Sequence, residues 1–238
     1  MGLPDRGPKE GDRPGGGFRY ERKFLVDQLD VHQVRALVKA HPSMFYEPYP
    51  PRYVNNLYLD TKGLENYFDN VAGAEEREKV RVRWYGDLFR FVERPVLEFK
   101  IKRGLVSTKL QYPFTPFWLD PQFTSCAFRD ALRGLNHPGG SRGPLQDLDV
   151  VLLNRYYRWY YATRDNRYRI TVDTELAFYR VSRMANSFAH QQVERTHIIV
   201  EMKYGQECEE GVDRISSFFP FRVTKNSKYV TGIERVFF

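Results

Sequence analysis

Lys79-Val80-Arg81-Val82-Arg83-Trp84 places a cation at every second position and an apolar side chain at each position between. Side chains of a strand point alternately to two faces, so this stretch reads as a strand with all of its charge on one face. The same pattern recurs outward from it. Glu98, Lys100 and Lys102 alternate with Leu97, Phe99 and Ile101; Arg169, Thr171 and Asp173 alternate with Ile170 and Val172; Glu201 and Lys203 alternate with Val200 and Met202. Near the N-terminus, Glu21 and Lys23 share one face, and Arg22 and Phe24 the other. In one sheet these strands pool their charge into a cationic surface dotted with carboxylates, which suits a phosphate-rich ligand and a divalent metal. Any antiparallel sheet with one solvated face alternates polar with apolar. Such a face mixes charge signs, however, because like charges opposite one another destabilise the pairing. Four segments that agree on arginine and lysine therefore point to an anionic ligand.

At 238 residues the chain can build one substantial core, and 42% hydrophobic with 16% aromatic residues supplies it. The many Tyr and Phe favour strands. A net charge of +7 and a pI near 9.3 also indicate an anionic partner. Cys126 and Cys208 form neither a disulfide framework nor a metal-ligand spacing and read as structural thiols in a reducing compartment. No apolar run approaches the roughly 20 residues that span a bilayer, and no secretory signal opens the chain. The expectation is a cytoplasmic protein with no membrane span.

Residues 1–17 are Gly, Pro and charge and read as a disordered leader, with one domain over residues 18–238. Strands are expected at residues 18–26, 53–59, 78–85, 94–102, 107–114, 150–163, 168–176 and 194–204. Asp30 reads as the N-cap of a helix carrying Val31, Val34, Leu37 and Val38. Further helices are expected after Thr61 through Tyr67, at residues 123–135 and at residues 209–218, with the tail 224–238 unassigned. Turns are expected at Gly86-Asp87, at Arg103-Gly104 and at residues 164–167, and exposed loops at 48–51 and 137–144. Eight strands with few helices fit an α+β, mainly β protein. The economical architecture is a closed eight-stranded antiparallel barrel with a charged lumen, its outer apolar face covered by amphipathic helices.

A linear triphosphate needs positive charge on several sides. Each unit pair at about 4 Å contributes about 4 kcal/mol before desolvation, taking an effective dielectric near 20. Arginine holds two phosphate oxygens with its fork, whereas lysine acts as a point charge. Phosphoryl transfer needs positioning and charge neutralisation more than covalent chemistry. A metal would sit on hard oxygen ligands, and Glu201 is the best-placed carboxylate, with a salt bridge to a neighbouring lysine as its alternative role.

Eight segments in order carry a resemblance: Tyr20-Glu21-Arg22-Lys23-Phe24, residues 56–61 (NLYLDT), Arg81-Val82-Arg83-Trp84-Tyr85-Gly86, Leu97-Glu98-Phe99-Lys100, Asn154-Arg155, residues 167–176 (RYRITVDTEL), Val200-Glu201-Met202-Lys203 and Ser227-Lys228-Tyr229. They resemble the polyphosphate polymerase domain of vacuolar transporter chaperone complexes, a branch of the triphosphate tunnel metalloenzymes. The resemblance implies an eight-stranded tunnel that binds ATP and passes its γ-phosphoryl group to a growing inorganic polyphosphate chain, releasing ADP. By the same resemblance Lys23, Arg81, Arg83, Lys100, Lys109, Arg155, Arg169 and Lys228 match phosphate-contacting positions. Glu201 matches the metal-binding glutamate, with Mn2+ or Mg2+ as the ion. Glu21, Glu98 and Lys203 point into the same lumen by parity.

Hydrolytic members of the superfamily carry Glu-x-Glu-x-Lys where this chain has Arg19, Glu21 and Lys23. Losing one acid weakens the case for a second metal or an activated water and favours a transferase. One rival is a tunnel triphosphatase acting on inorganic or nucleoside triphosphate. The other is a non-catalytic module for polyphosphate or RNA, which would need aromatic rings on the charged face. Tyr85 qualifies by parity, while Trp84 and Phe99 do not, so no specific nucleic acid is expected; an unidentified protein partner is. The five histidines, His32, His41, His137, His190 and His197, lack metal-ligand spacing and read as surface or loop residues. Lys225 and Lys228 both read as lying near the tunnel mouth.

Overall fold

The computed structural model describes residues 19–104, 106–133, 135, 144–186, 188 and 191–238. The expected leader, residue 134 of the expected third helix, most of the 137–144 loop, His137 and His190 lie outside the described residues. The elements run β1 (Arg19–Val26), α1 (Val31–Lys39), β2 (Arg52–Asp60), α2 (Glu65–Ala72), β3 (Glu76–Tyr85), β4 (Arg90–Val92), β5 (Val96–Arg103), β6 (Val106–Pro113) and β7 (Phe117–Leu119). They continue with α3 (Ser125–Asp130), β8 (Asp149–Ala162), β9 (Tyr168–Arg180), β10 (Gln192–Glu194), β11 (Ile198–Gly205), α4 (Glu209–Ser216) and α5 (Lys228–Phe237).

Eight strands form one antiparallel path in the order β1-β11-β9-β8-β2-β3-β5-β6, with β10 added beside β9. The path curls until β1 comes near β6, but no ladder joins these two strands. The expected closed barrel is therefore corrected to a curled, incompletely closed sheet. The edge of β1 is used elsewhere: Phe24 bridges Val223, and the Thr224 N–H donates to the Lys23 carbonyl at 2.7 Å. Lys100 on β5 reaches across the seam to Glu21 on β1, Nζ to Oε2 at 2.9 Å.

The outer face is apolar as the alternation requires. Val80, Val82, Trp84, Leu97 and Phe99 pack under α3 and the β4–β7 pair through Phe114, Phe123, Phe128 and Leu132. On the other wall Phe24, Ile170, Val172, Val200 and Met202 meet Val34 and Val38 of α1 and Val212 of α4. Asp30 caps α1 as expected, accepting the His32 and Gln33 N–H groups while Gln33 returns a bond to the Asp30 N–H. The Arg103-Gly104 turn closes the β5–β6 hairpin, and Asn166 takes a left-handed φ of 58° in the β8–β9 turn.

The inner face is not charged throughout. At one end Tyr58, Leu152, Tyr156, Leu176, Phe178 and Ile199 form an apolar patch, and the unassigned tail supplies its cover: α5 seats Tyr229 and Ile233 there. The approach is so close that a Cβ at Gly232 would fall 2.5 Å from Leu152 and 2.7 Å from Phe178. Leu176 and Phe178 reach the inner face because a bulge shifts the β8–β9 register, Tyr157 pairing with Thr174 but Arg155 with Ala177; Glu175 within it has φ 52°.

Three other expectations change. Helix 123–135 shrinks to α3, and the 194–204 strand breaks into β10 and β11, where Glu194 accepts the Thr196 and His197 N–H groups. His41 is buried, stacked on Phe219, with Nε2 3.0 Å from the Ile215 carbonyl. Cys126 is exposed and Cys208 buried, both as free thiols. Among the described residues no helix is long and apolar enough to cross a membrane.

Candidate functional site

Every strand of the path sends side chains into the charged part of the lumen, and two buried carboxylates organise them. Glu98 on β5 is the first. Its Oε2 lies 2.7 Å from Nε of Arg81 and 3.6 Å from Arg83, and its Oε1 lies 3.4 Å from Lys109 and 2.6 Å from the Gln111 amide. Arg81 also donates to Tyr58 Oη, and Arg83 to Asn56 Oδ1 at 2.8 Å and Tyr156 Oη at 3.1 Å. Burial pushes the Glu98 carboxyl upward, but Arg83, Arg81 and Lys109 outweigh it and hold it well below the usual carboxylate range.

Glu201 on β11 is the second. Its oxygens lie 3.0 Å from Lys228, 3.2 Å from Lys203, 3.4 Å from Arg158 and 3.9 Å from Lys23. Asp173, fully buried, takes a forked pair of bonds from Arg158 at 2.5 and 2.6 Å and lies 2.7 Å from Lys228. Here too burial opposes ionisation of Glu201, and Lys228, Lys203, Lys23 and Arg158 overcome it. Glu21 adjoins the second group, touching Lys203 at 3.7 Å, and reaches across the seam to Lys100 at 2.9 Å. Burial and neighbouring Glu201 push its carboxyl up, yet Lys23, Lys203 and Lys100 pull it down to about 2.

The lumen holds more positive than negative charge. Burial, with Lys23, Lys100, Arg77 and Arg81 nearby, drives the Lys79 ammonium well below the usual lysine range. Burial also lowers Lys100, and Lys23 and Lys203 add to the effect, though Glu21 partly offsets it. Lysines pressed to give up protons mark a potential that a bound polyanion would relieve. Lys23 and Lys79 meanwhile hold the segment leading into α5, through the Asn226 carbonyl at 2.8 Å and Ser227 Oγ at 2.7 Å.

The structure brings together Lys23, Arg81, Arg83, Lys100, Lys109, Lys203, Lys228, Glu21, Glu98 and Glu201, with Arg169 beside Lys203 at the rim, but not Arg155. Arg155 points to the outer face, its guanidinium 3.5 Å over the Tyr53 ring in a cavity of about 840 Å³ shared with Trp159, Glu175 and Tyr179. The inner positions of β8 are even-numbered, from Asn154 through Tyr156 and Arg158 to Tyr160, so Arg158 takes the lumenal place expected of Arg155. Arg169 lies opposite Lys203 at the strand end, exposed to solvent. Lys228 is buried against Glu201 and Asp173, away from any mouth. Sequence reasoning gave no role to Arg158, Asp173, Tyr156 or Asn56. The outward Tyr157, Trp159 and Tyr161 could have set the parity of Arg158, whereas the alternation already put Asp173 on the charged face with Arg169.

Among the described residues no group of three or more His, Cys, Asp or Glu side chains could hold a metal ion. Glu201 and Glu21 are two lumenal carboxylates that share Lys203. Mg2+ is commonly held by one or two carboxylates with phosphate and water completing its shell. The donor set therefore fits such an ion together with a phosphate chain and not as a protein-only cage.

The profile of the VTC domain matches residues 18–237. The chain belongs to the VTC domain family. A relative of this VTC domain is Vacuolar transporter chaperone complex subunit 4 of Schizosaccharomyces pombe (strain 972 / ATCC 24843), 23% identical over 290 aligned residues, which cover 97% of the chain and 40% of the relative. The VTC domain thus spans about two fifths of the curated relative it matches. A solved Vibrio parahaemolyticus structure described as a "putative adenylate cyclase" superposes with a TM-score of 0.53 at 10% identity, covering 91% of this chain and 98% of that one. It shares the tunnel-like fold.

Proposed function

We propose that this VTC domain is a metal-dependent polyphosphate polymerase that moves the γ-phosphoryl group of ATP to a growing inorganic polyphosphate chain and releases ADP. The carrying observation is the lumen itself, where cations from β1, β3, β5, β6, β8, β11 and α5 surround a few buried carboxylates and two lysines are driven towards deprotonation. Such a cage does what phosphoryl transfer needs: it aligns phosphates and neutralises charge on the transferred group. In this reading Arg81, Arg83 and Arg158 grip phosphate oxygens with their forks, Lys23, Lys100, Lys109 and Lys203 supply point charges, and Arg169 meets the chain at the exposed end. Glu201, with Glu21 beside it, would hold Mn2+ or Mg2+ together with oxygens of the bound phosphate chain. Such an ion would supply further charge neutralisation to the phosphate chain. The S. pombe relative is named as a complex subunit, and by analogy this VTC domain works in the cytoplasm with a protein partner.

Arginine at position 19, where hydrolytic tunnel enzymes carry an acid, favours transfer over hydrolysis. Incubating the purified chain with ATP and Mn2+, then resolving products on a polyphosphate gel, tests the reading. An acid-insoluble ladder with ADP is expected. Free phosphate alone would make the protein a triphosphatase, and polyphosphate binding without turnover would make it a binding module.

A further inference from the structure

Beyond Arg83 and Arg158 the inner wall changes from charge to rings. Tyr85 and Tyr160 occupy the next inner positions of β3 and β8, and Arg52 of β2, paired with Arg158 and one inner position past Val54, lies with them, away from the end that α5 covers. The Arg52 guanidinium lies 3.9 Å over the Tyr85 ring and 5.3 Å from the Tyr160 ring centre. Its Nε donates to Tyr160 Oη at 3.3 Å. Tyr49, from the proline-rich loop, meets Tyr160 edge-on with centroids 5.8 Å apart. Tyr85 and Tyr49 nevertheless remain 38% and 53% exposed.

Aromatic faces and guanidinium planes beside a cationic channel are the elements on which nucleobases stack. Two residues along a strand, about 7 Å, separate Tyr85 from Arg83 and Tyr160 from Arg158, a gap that a ribose can bridge. We propose that Tyr85, Arg52 and Tyr160, flanked by Tyr49, form a nucleobase-stacking subsite at the open end of the lumen. It seats the base of a nucleoside triphosphate whose phosphates lie inward among Arg83 and Arg158. The proposal rests on the phosphate-binding reading of the lumen and adds a direction to it: the base stays at the mouth while the terminal phosphate points to Glu98 and Glu201. Because every base offers a π face, the subsite accepts any nucleobase, purines ahead of pyrimidines by stacking area.

Calorimetric titration of the full chain with ATP and with inorganic triphosphate, each with Mg2+, tests this. Tyr85→Ala is expected to weaken ATP binding about tenfold, in line with the cost of losing one stacked base. Inorganic triphosphate, which has no base, keeps its affinity within about twofold on the same principle, and Tyr85→Phe keeps the affinity for ATP. Equal weakening of both ligands, or unchanged ATP binding in both Tyr85→Ala and Tyr160→Ala, overturns the subsite while leaving the phosphate reading standing. A wild-type chain that binds neither ligand removes both.

Discussion

The two carboxylate centres are built from different distances in the chain. Glu98 is served by its own neighbours, for Arg81 and Gln111 are its direct partners across the β3–β5 and β5–β6 ladders. Glu201 shares a ladder pair only with Lys23 among its cations; Arg158 arrives from β8 beyond β9, and Lys228 from the helix that follows the last strand. The first centre is a property of a three-stranded meander. The second exists only once the sheet has curled and α5 has entered it. The centre that needs the whole fold is therefore the one expected to report on folding and on metal.

The largest expected effect follows from that difference. Asp173→Ala takes from buried Arg158 its forked partner and from Lys228 one of its two carboxylates, leaving Glu201 alone to serve both, and breaking one side of a buried pair costs about 3–5 kcal/mol. A urea-unfolding midpoint that barely moves would mean the second centre is no folding element. Next comes Lys100→Ala, at the half-open seam. It is expected to abolish polymer synthesis while the chain keeps a cooperative urea transition; full activity on the gel would remove Lys100 from the phosphate path. The centres should then separate in metal dependence. Glu201→Gln is expected to lose Mn2+-stimulated turnover yet still bind inorganic triphosphate, whereas Glu98→Gln keeps its response to Mn2+. Equal responses in a metal titration would erase the distinction.

The smallest effect is acid sensitivity at Glu21, which joins Lys203 of the second centre to Lys100 across the seam. Burial and Glu201 raise its pKa, but Lys23, Lys203 and Lys100 lower it from 4.5 to about 2. A carboxyl held down in the folded state stabilises fully above pH 4.5, and that contribution disappears as pH falls towards 2. Glu21→Gln should flatten this limb of the stability profile; an unchanged acid limb would assign the sensitivity to other carboxyls.

Much of the fold and part of the site could be read from residue order. The alternation in Lys79–Trp84 and Leu97–Lys102 placed Arg81, Arg83, Glu98 and Lys100 on one face, and the fold keeps them there. Asp30 with Gln33 announced α1 correctly, because a capping box is complete within four residues. Arg155 was misplaced because the resemblance was carried onto Asn154-Arg155, whereas the inner parity of β8 runs through Arg158. The closed barrel was over-read because periodicity is silent on which partner an edge strand takes; β1 gives its edge to Val223 and Thr224.

Local pattern, then, assigned a face to the charged residues of β1, β3, β5 and β11 and of the start of β9, since the two-residue repeat of a pleated backbone needs no knowledge of distant chain. It could not say that one end of the inner face is apolar, that a single bulge brings Leu176 and Phe178 inward, or that the C-terminal helix lies inside the sheet with Lys228 between Asp173 and Glu201. Those outcomes depend on how a curled sheet meets itself and on which apolar surface is left to bury α5, and both are settled by packing between segments far apart in the chain.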